Sequence, residues 1–396
     1  MNDYIFYAPY VPENWKIIPN KYVFIPHSKK VGKDFRNYNL LSLTKNGVIL
    51  KDIESNEGKL PASFEGYQTV ERNDLILCLF DLDVSAVFSG LSEYQGMITS
   101  AYDVYQVNTQ LMIPKFADYW FANVFSERSY SVYSKSLRHT IAYDSFKNIP
   151  IAVPSLGTQS KIVSFLSEKI KTIDSLISNE TKQIEKLEEY KKAVITNAVT
   201  KGLDSDAKMK DSGVEWIGEI PEKWGKCRLK NVITIENGKE IMDDGGNIPV
   251  YGSGGIFKFT DRPIFVGQSL LMGRKGTIDK PMLVDGPFWT VDTMFYTSRI
   301  ENINARFLYY ACSGLINFDF YKSGSVLPSM TQTELYNVWI TLPGPSEQQA
   351  IADYLDGKCT KIKKFIDIKK EKIGKLQDYK KSLIYEYVTG KKAVEA

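Results

Sequence analysis

The amino-acid sequence predicts a mixed α/β (α+β) chain built as two tandem halves. Each half is a globular segment followed by one long helix, and the two helices pack on each other. Three observations predict this. Residues 159–200 (QSKIVSFLSEKIKTIDSLISNETKQIEKLEEYKKAVITNAVT) and 348–389 (QQAIADYLDGKCTKIKKFIDIKKEKIGKLQDYKKSLIYEYVT) superimpose without a gap at a single offset of 189 residues, 348 − 159. About a third of the aligned positions are identical, and a repeat of this kind fixes the plan of a chain before any local reading. Apolar residues in both copies recur at alternating steps of three and four, the spacing of a heptad seam. Upstream of each copy, short apolar runs alternate with turn residues and one short helical stretch, the pattern of small mixed domains.

Residues 1–153 read as the first globular segment. Val11-Pro12-Glu13-Asn14-Trp15 opens it as a turn. Runs at 21–25, 40–43 and 48–50 read as short strands, and Asn46-Gly47 between two of them signals a hairpin. Residues 75–80 (LILCLF) read as a buried strand, 96–107 (GMITSAYDVYQV) as a strand with its approach, and 113–125 have helical spacing. Residues 154–202 carry the first long helix, and 203–217 (LDSDAKMKDSGVEWI), polar and rich in turn formers, read as a linker. Ile220-Pro221-Glu222-Lys223-Trp224 then echoes residues 11–15, so the second segment, 218–342, starts as the first did. It contains 247–259 (NIPVYGSGGIFKF), a strand at 263–272, 273–277 (GRKGT), 288–298 (FWTVDTMFYTS) and a short helix at 305–313. Residues 343–392 carry the second long helix. The repeat offset already aligns Ser136 with Ser325, Asn148 with Asn337 and Ile151 with Ile340, but fails further upstream. Two unlike surfaces on one plan suit a protein that reads two different things, and also suit simple divergence under a shared fold.

The first seam is Leu166, Ile170, Ile173, Ile177, Ile184, Leu187, Val194 and Ala198. The second is Leu355, Cys359, Ile362, Ile366, Ile373, Leu376, Leu383 and Tyr387. A helix of this length spans roughly 63 Å at 1.5 Å per residue, more than one small domain needs for its own core. The helices are therefore expected to pair as a spacer instead of each folding back on its own segment. Glu180 and Lys369 interrupt the two seams at equivalent positions near the midpoints. They can meet whether the helices run parallel or antiparallel, so the charges leave orientation open. Their contact is expected in either case, since one buried polar layer costs stability but can fix register.

Composition is that of an ordinary globular chain, 43% apolar and 24% charged with 13% aromatic residues. The net charge of +3 is too small to identify a nucleic-acid binder by itself. The four cysteines, Cys78, Cys227, Cys312 and Cys359, have no metal-ligand spacing, and the only two histidines, His27 and His139, stand apart from them. No apolar run approaches the ~18 residues of a membrane span, and the N-terminal MNDYIFYAPYVPENW lacks the regions of a signal peptide. A cytoplasmic location with reduced cysteines is expected. No G-x-S-x-G elbow and no phosphate-loop spacing appears. Asp52, Glu57 and Lys59 form a D…E-x-K pattern of the kind two-carboxylate nucleases use for magnesium, with a solvated loop as the commoner explanation. What remains for ligand contact is basic and hydroxyl residues beside glycine. In the second segment these are Tyr251, Ser253, Lys258, Arg274 and Lys275; in the first, Lys45, Asn46, Ser100, Tyr102, Lys135, Arg138 and His139. Glycines let a backbone approach phosphate, and arginine can read a guanine edge with two hydrogen bonds.

The sequence resembles the specificity subunit of type I restriction-modification systems. The resemblance is carried by 213–224 (GVEWIGEIPEKW), 248–256 (IPVYGSGGI), GRKGT, 288–293 (FWTVDT), 327–356 (LPSMTQTELYNVWITLPGPSEQQAIADYLD) and 375–391 (KLQDYKKSLIYEYVTGK). The first half departs more: Thr158-Gln159 stands where the second has Glu347-Gln348, and Leu79-Phe80-Asp81 where it has Gly273-Arg274-Lys275. The resemblance implies two target-recognition domains whose long helices pair antiparallel as a ruler. Each domain would read one half of a bipartite double-stranded DNA target in the major groove, and helix length would set the gap. It further implies two modification subunits that bind S-adenosylmethionine and methylate adenine, and restriction subunits that use ATP and magnesium. This chain would then hold no cofactor or metal and no active site. The alternatives are a magnesium-dependent nuclease using Asp52, Glu57 and Lys59, and a coiled-coil adaptor that does not bind DNA.

Overall fold

A computed structural model describes residues 11–27, 29–45, 47–51, 63–126, 128–134, 139–242, 245–318 and 328–394. The chain divides into two compact units, Met1–Asn179 with Lys372–Ala396, and Glu180–Glu371. Its helices are α1 (Pro114–Ser126), α2 (Tyr143–Phe146), α3 (Leu156–Lys201), α4 (Ala305–Leu315), α5 (Gln332–Asn337) and α6 (Pro345–Val388). Their ends follow from local chemistry. Ser155 Oγ accepts from the Thr158 amide at 3.2 Å and so caps α3. Pro345 opens α6, where its missing N–H costs nothing. Gly202 and Gly390 take φ of +76° just beyond the two long helices, a conformation that favours glycine. Thr331 and Glu334 close a capping box on α5.

Each unit contains a four-stranded antiparallel sheet. In the first the spatial order is Phe24–Pro26, Asp103–Val107, Leu75–Leu77, Ser89–Leu91; in the second it is Ile233–Asn237, Met294–Ile300, Ser269–Gly273, Met282–Val284. Numbered along the chain, both sheets run first, fourth, second, third. Helix α1 packs on Leu75–Leu77 and Ser89–Leu91, and α4 packs on the equivalent Ser269–Gly273 and Met282–Val284. An antiparallel ribbon precedes each long helix, Lys16–Pro19 with Pro150–Val153 and Gly225–Arg228 with Trp339–Leu342. The repeat thus extends through both globular segments, where sequence identity had faded.

Several elements differ from the sequence expectation. The run at 75–80 is a strand only over Leu75–Leu77, and Cys78 then pairs its amide with Phe88 O. The stretch 96–107 is two strands, Gly96–Ile98 and Asp103–Val107, separated by a turn. The strand at 263–272 is split into Phe265–Val266 and Ser269–Gly273 by Gly267 at φ +131°. Residues 203–217, read as a linker, contribute buried Val214 and Ile217 to the second core and pair Met209–Asp211 with Glu219–Pro221. Two apolar side chains among polar neighbours suffice to dock such a segment, because each buried one contributes about 1.5–3 kcal/mol.

The cores show where the long helices belong. The first unit buries Trp15, Phe24, Tyr105, Phe116, Trp120 and Phe121 together with Ile162 and Leu166 of α3 and Leu383, Ile384 and Val388 of α6. The second buries Trp224, Phe295 and Phe307 together with Ile351 and Leu355 of α6 and Ile195, Ala198 and Val199 of α3. Each unit is closed by the start of one long helix and the end of the other. A heptad helix was expected to pack on its partner, and it does so while its ends are also built into the globular cores. The helices run antiparallel: in the first unit Phe165 meets Tyr387 at a ring separation of 4.6 Å, and Asp174 accepts from Lys380 at 2.7 Å.

The first residue of each repeat copy is a buried glutamine with the same task. Gln159 Oε1 accepts from the Ile113 amide at 2.7 Å while its Nε2 donates to Pro154 O and Leu111 O, both at 2.8 Å. Gln348 Oε1 accepts from the Asn304 amide at 2.7 Å and its Nε2 donates to Pro343 O at 2.9 Å. Each clamps the start of a long helix to the loop that leads into α1 or α4, satisfying backbone groups that would otherwise be buried unpaired.

Candidate nucleic-acid interface

In the second unit a hairpin, Ile248–Gly252 with Gly255–Thr260, projects Ser253 and Gly254 from its turn. The loop after strand Ser269–Gly273 lies against that turn: a Cβ on Gly276 would sit 3.2 Å from Ser253 Oγ, and Gly276 holds φ +83°. This brings Ser253 together with Arg274 and Lys275. Lys275 is exposed and pairs its backbone with Ser329. Arg274 is half-buried, donating through Nη1 to Asp292 O at 3.3 Å and lying 6.0 Å from the Phe295 ring centre. Tyr251 is half-buried edge-on to Phe288, and burial pushes its hydroxyl pKa up, so it stays a protonated donor. Lys258 is engaged within the fold, its Nζ donating to Ile241 O at 2.6 Å.

The sequence reading missed three residues beside this hairpin. Trp289 donates from Nε1 to Lys239 O at 2.7 Å, and Arg262 lies 5.8 Å from the Trp289 ring centre. The Arg262 guanidinium beside the indole combines a stacking face with positive charge. The apolar run in 255–260 (GIFKFT), which leaves Ile256, Phe257 and Phe259 exposed, was the available signal.

The first unit distributes its candidates differently. Lys45 is exposed at the turn of hairpin Leu41–Thr44 with Gly47–Leu50. Ser100 donates to Gly66 O, and Tyr102 stacks on Phe80 at 6.0 Å, so both side chains serve the loop itself. His139 sits at φ +42° with Nδ1 3.3 Å from Ser134 Oγ and Nε2 3.9 Å from Asp83. A nearby carboxylate opposes phosphate contact there. Asn46, Lys135 and Arg138 lie outside the described residues, as do Asp52, Glu57 and Lys59. Among the described residues, no group of three His, Cys, Asp or Glu side chains could hold a metal, and no helix is long and apolar enough to cross a membrane.

On the helix pair, Ile173, Ile362 and Ile366 are buried, while Ile177, Ile184, Leu187, Ile373 and Leu376 are half-buried. In the second unit Lys369 Nζ donates to Glu180 Oε2 at 3.0 Å and also to Gln183 Oε1. The Glu180 side chain is only 7% exposed and that of Lys369 23%. The Asp174–Lys380 pair was not anticipated, although Lys380 also falls on a seam position of the heptad spacing.

Residues 221–378, spanning the hairpin, the Arg274 loop and most of α6, match the model of the type I restriction modification DNA specificity domain. The second half of the chain therefore carries a type I restriction modification DNA specificity domain. A type I restriction enzyme MjaVIII specificity subunit from Methanocaldococcus jannaschii is 30% identical over 251 residues, 53% of this chain and 55% of that protein. The putative type I restriction enzyme MjaX specificity subunit of the same organism is 26% identical over 237 residues, 54% of each chain. The chain spans about half the length of the curated relatives it matches. Its fold is that of a chain solved to explain complex assembly and conformational transition of the type I R-M system, with a TM-score of 0.67 at 14% identity, covering 96% of this chain and 98% of that one.

Proposed function

We propose that this chain is the DNA-specificity subunit of a type I restriction-modification complex and performs no chemistry of its own. Residues 1–153 and 218–342 act as two target-recognition domains, 154–202 and 343–392 as their spacer helices, and 203–217 as the join. Each domain reads one half of a bipartite duplex target in the cytoplasm. Two modification subunits carrying S-adenosylmethionine methylate adenine at the site so chosen, and restriction subunits bring ATP and magnesium. The observation that carries this reading is the pair of sheets with one strand order, each joined to a different set of loops and closed by both long helices. It is what a protein needs in order to offer two unlike surfaces in equivalent settings. The specificity domain over 221–378 supports the same reading.

Exchanging residues 1–153 for those of a relative is expected to change one half of the methylated motif and leave the other half and the gap as they were. Mapping methylated adenines in cells expressing the chimera with its modification subunit measures this, and a motif unchanged in both halves would sink the proposal. In the second domain, Ser253, Arg274 and Lys275 are the candidate readers. Arg274→Ala should cost about 1–3 kcal/mol of base discrimination at the second half-site. The same map would show relaxed methylation there; an intact motif with unchanged DNA affinity excludes the role.

A further inference from the structure

The two units share sheet order, ribbon and helix placement, so the shared parts cannot account for two different readings. The connection between the first and second strands of the sheet is where they part. It runs over residues 27–74 in the first unit and 238–268 in the second. In the second unit this connection carries the hairpin with Tyr251, Ser253 and Lys258. In the first it begins with residues 27–36, HSKKVGKDFR, holding Lys29, Lys30, Lys33 and Arg36 against the single acid Asp34. We propose that Lys29, Lys30, Lys33 and Arg36 form the phosphate-contacting surface of the first unit, with duplex DNA as the ligand. The assignment rests on the DNA-reading function proposed above and names cations that are not among the candidates Ser100, Tyr102 and His139.

The segment is built to hold those cations in place. The Thr69 amide donates to Lys29 O at 2.8 Å and the Val31 amide to Tyr67 O at 3.0 Å, while the Lys29 amide donates to Thr69 Oγ1 at 3.2 Å. Gly32 at φ +58° then turns the chain into a 3-10 turn, Gly32–Asn37. A small core separate from the main one, Val31, Leu40, Phe64 and Met97 with Phe35, Tyr38 and Tyr67 against it, anchors the stretch from beneath. At its start the His27 ring is fixed by Asp74, whose two carboxylate oxygens lie 3.0 and 3.1 Å from Nδ1 and whose side chain is only 3% exposed. Lys29, Lys30, Lys33 and Arg36 are all exposed. Elsewhere in the unit Lys115, Lys147, Lys380 and Lys392 are neutralised by Asp118, Asp144, Asp174 and Glu386. The four cations of this segment have no such carboxylate partner among the described residues, and unlike Lys16, Lys21, Lys161 and Lys171, for which none is seen either, they are clustered within 29–36. A rigid backbone presenting unneutralised charge is suited to displacing counterions from a phosphate backbone.

The test uses the full chain and a fluorescent 40-base-pair duplex of mixed sequence, with affinity followed by anisotropy against sodium chloride concentration. Replacing Lys29, Lys30, Lys33 and Arg36 together by alanine is expected to flatten the slope of log affinity against log salt by about 2 to 4, roughly 0.9 for each phosphate left without its cation. The charge-conserving set Lys29→Arg, Lys30→Arg, Lys33→Arg and Arg36→Lys should keep the wild-type slope. A control set of exposed lysines, Lys16, Lys21, Lys161 and Lys171 to alanine, should also keep it. Circular dichroism checks that each variant is folded. If the alanine variant binds like the wild type, or the control set weakens binding as much, the assignment to residues 27–36 is overturned while DNA reading stands. If the wild-type chain does not bind the duplex, DNA reading falls and this surface falls with it.

Discussion

Adding one heptad to α3 after Glu180 and one to α6 after Lys369 is expected to widen the gap between the two half-sites by about three base pairs. Seven residues of helix add about 10.5 Å, and duplex DNA rises about 3.4 Å per step. Seven is the right increment because it returns every seam residue to the seam, whereas three or four residues would over- or underwind the pair. The insertion must be made in both helices, since they run antiparallel and one longer helix would slide Ile173 and Ile177 out of register with Leu376. Three base pairs also turn the second half-site by about 100° around a duplex of roughly 10.5 base pairs per turn. A fall in affinity should therefore accompany the shift. The readout is the spacing between methylated adenines, and a variant that methylates at the original spacing would end the ruler interpretation.

Glu180→Ala is expected to destabilise the helix pair by about 3 kcal/mol, the lower part of the range for stripping a partner from a buried charge. The lower part applies because the Lys369 side chain retains 23% exposure and Gln183 still accepts one of its hydrogen bonds. Replacing both partners, Glu180→Leu with Lys369→Leu, should be near neutral or stabilising, as the desolvation cost of both charges disappears. The double variant should lose something else, the unique register that one polar layer imposes on an otherwise uniform apolar seam. Urea unfolding by circular dichroism measures the first effect, and hydrogen exchange along the middle of α3 and α6 the second. An unchanged urea midpoint in Glu180→Ala would mean that the pair contributes nothing.

Much of this molecule is written locally in the sequence. The seam residues from Leu166 to Ala198 and from Leu355 to Tyr387 report helices because period alone suffices. Asn46-Gly47 marks a hairpin because few residue pairs tolerate its turn. The midpoint charges Glu180 and Lys369 were visible as matched interruptions. The candidate interface was less legible. The loop of Arg274 and Lys275 does reach the Ser253 turn through Gly276, but Lys258, Ser100 and Tyr102 are occupied by contacts with Ile241, Gly66 and Phe80 that no local pattern announces. In the sequence, residues 27–36 are only a charged run, which is usually a solvated face, and what distinguishes this one is the separate core beneath it.

By itself, then, the sequence determined two halves, two long helices and a polar layer at their centres, all features that repeat or recur within a few turns of chain. Only the tertiary structure decided the direction of the helix pair and the ownership of its ends. Glu180 and Lys369 could meet in either orientation. Direction is set instead by burial far from the midpoint. Leu383, Ile384 and Val388 at the end of α6 enter the core built around Trp15, and Ile195, Ala198 and Val199 at the end of α3 enter the core built around Trp224. Those contacts join residues separated by most of the chain in the first case and by a change of domain in the second. Apolar burial is non-directional and carries no sequence address, so it becomes readable only once the folded cores show which surfaces were left to cover.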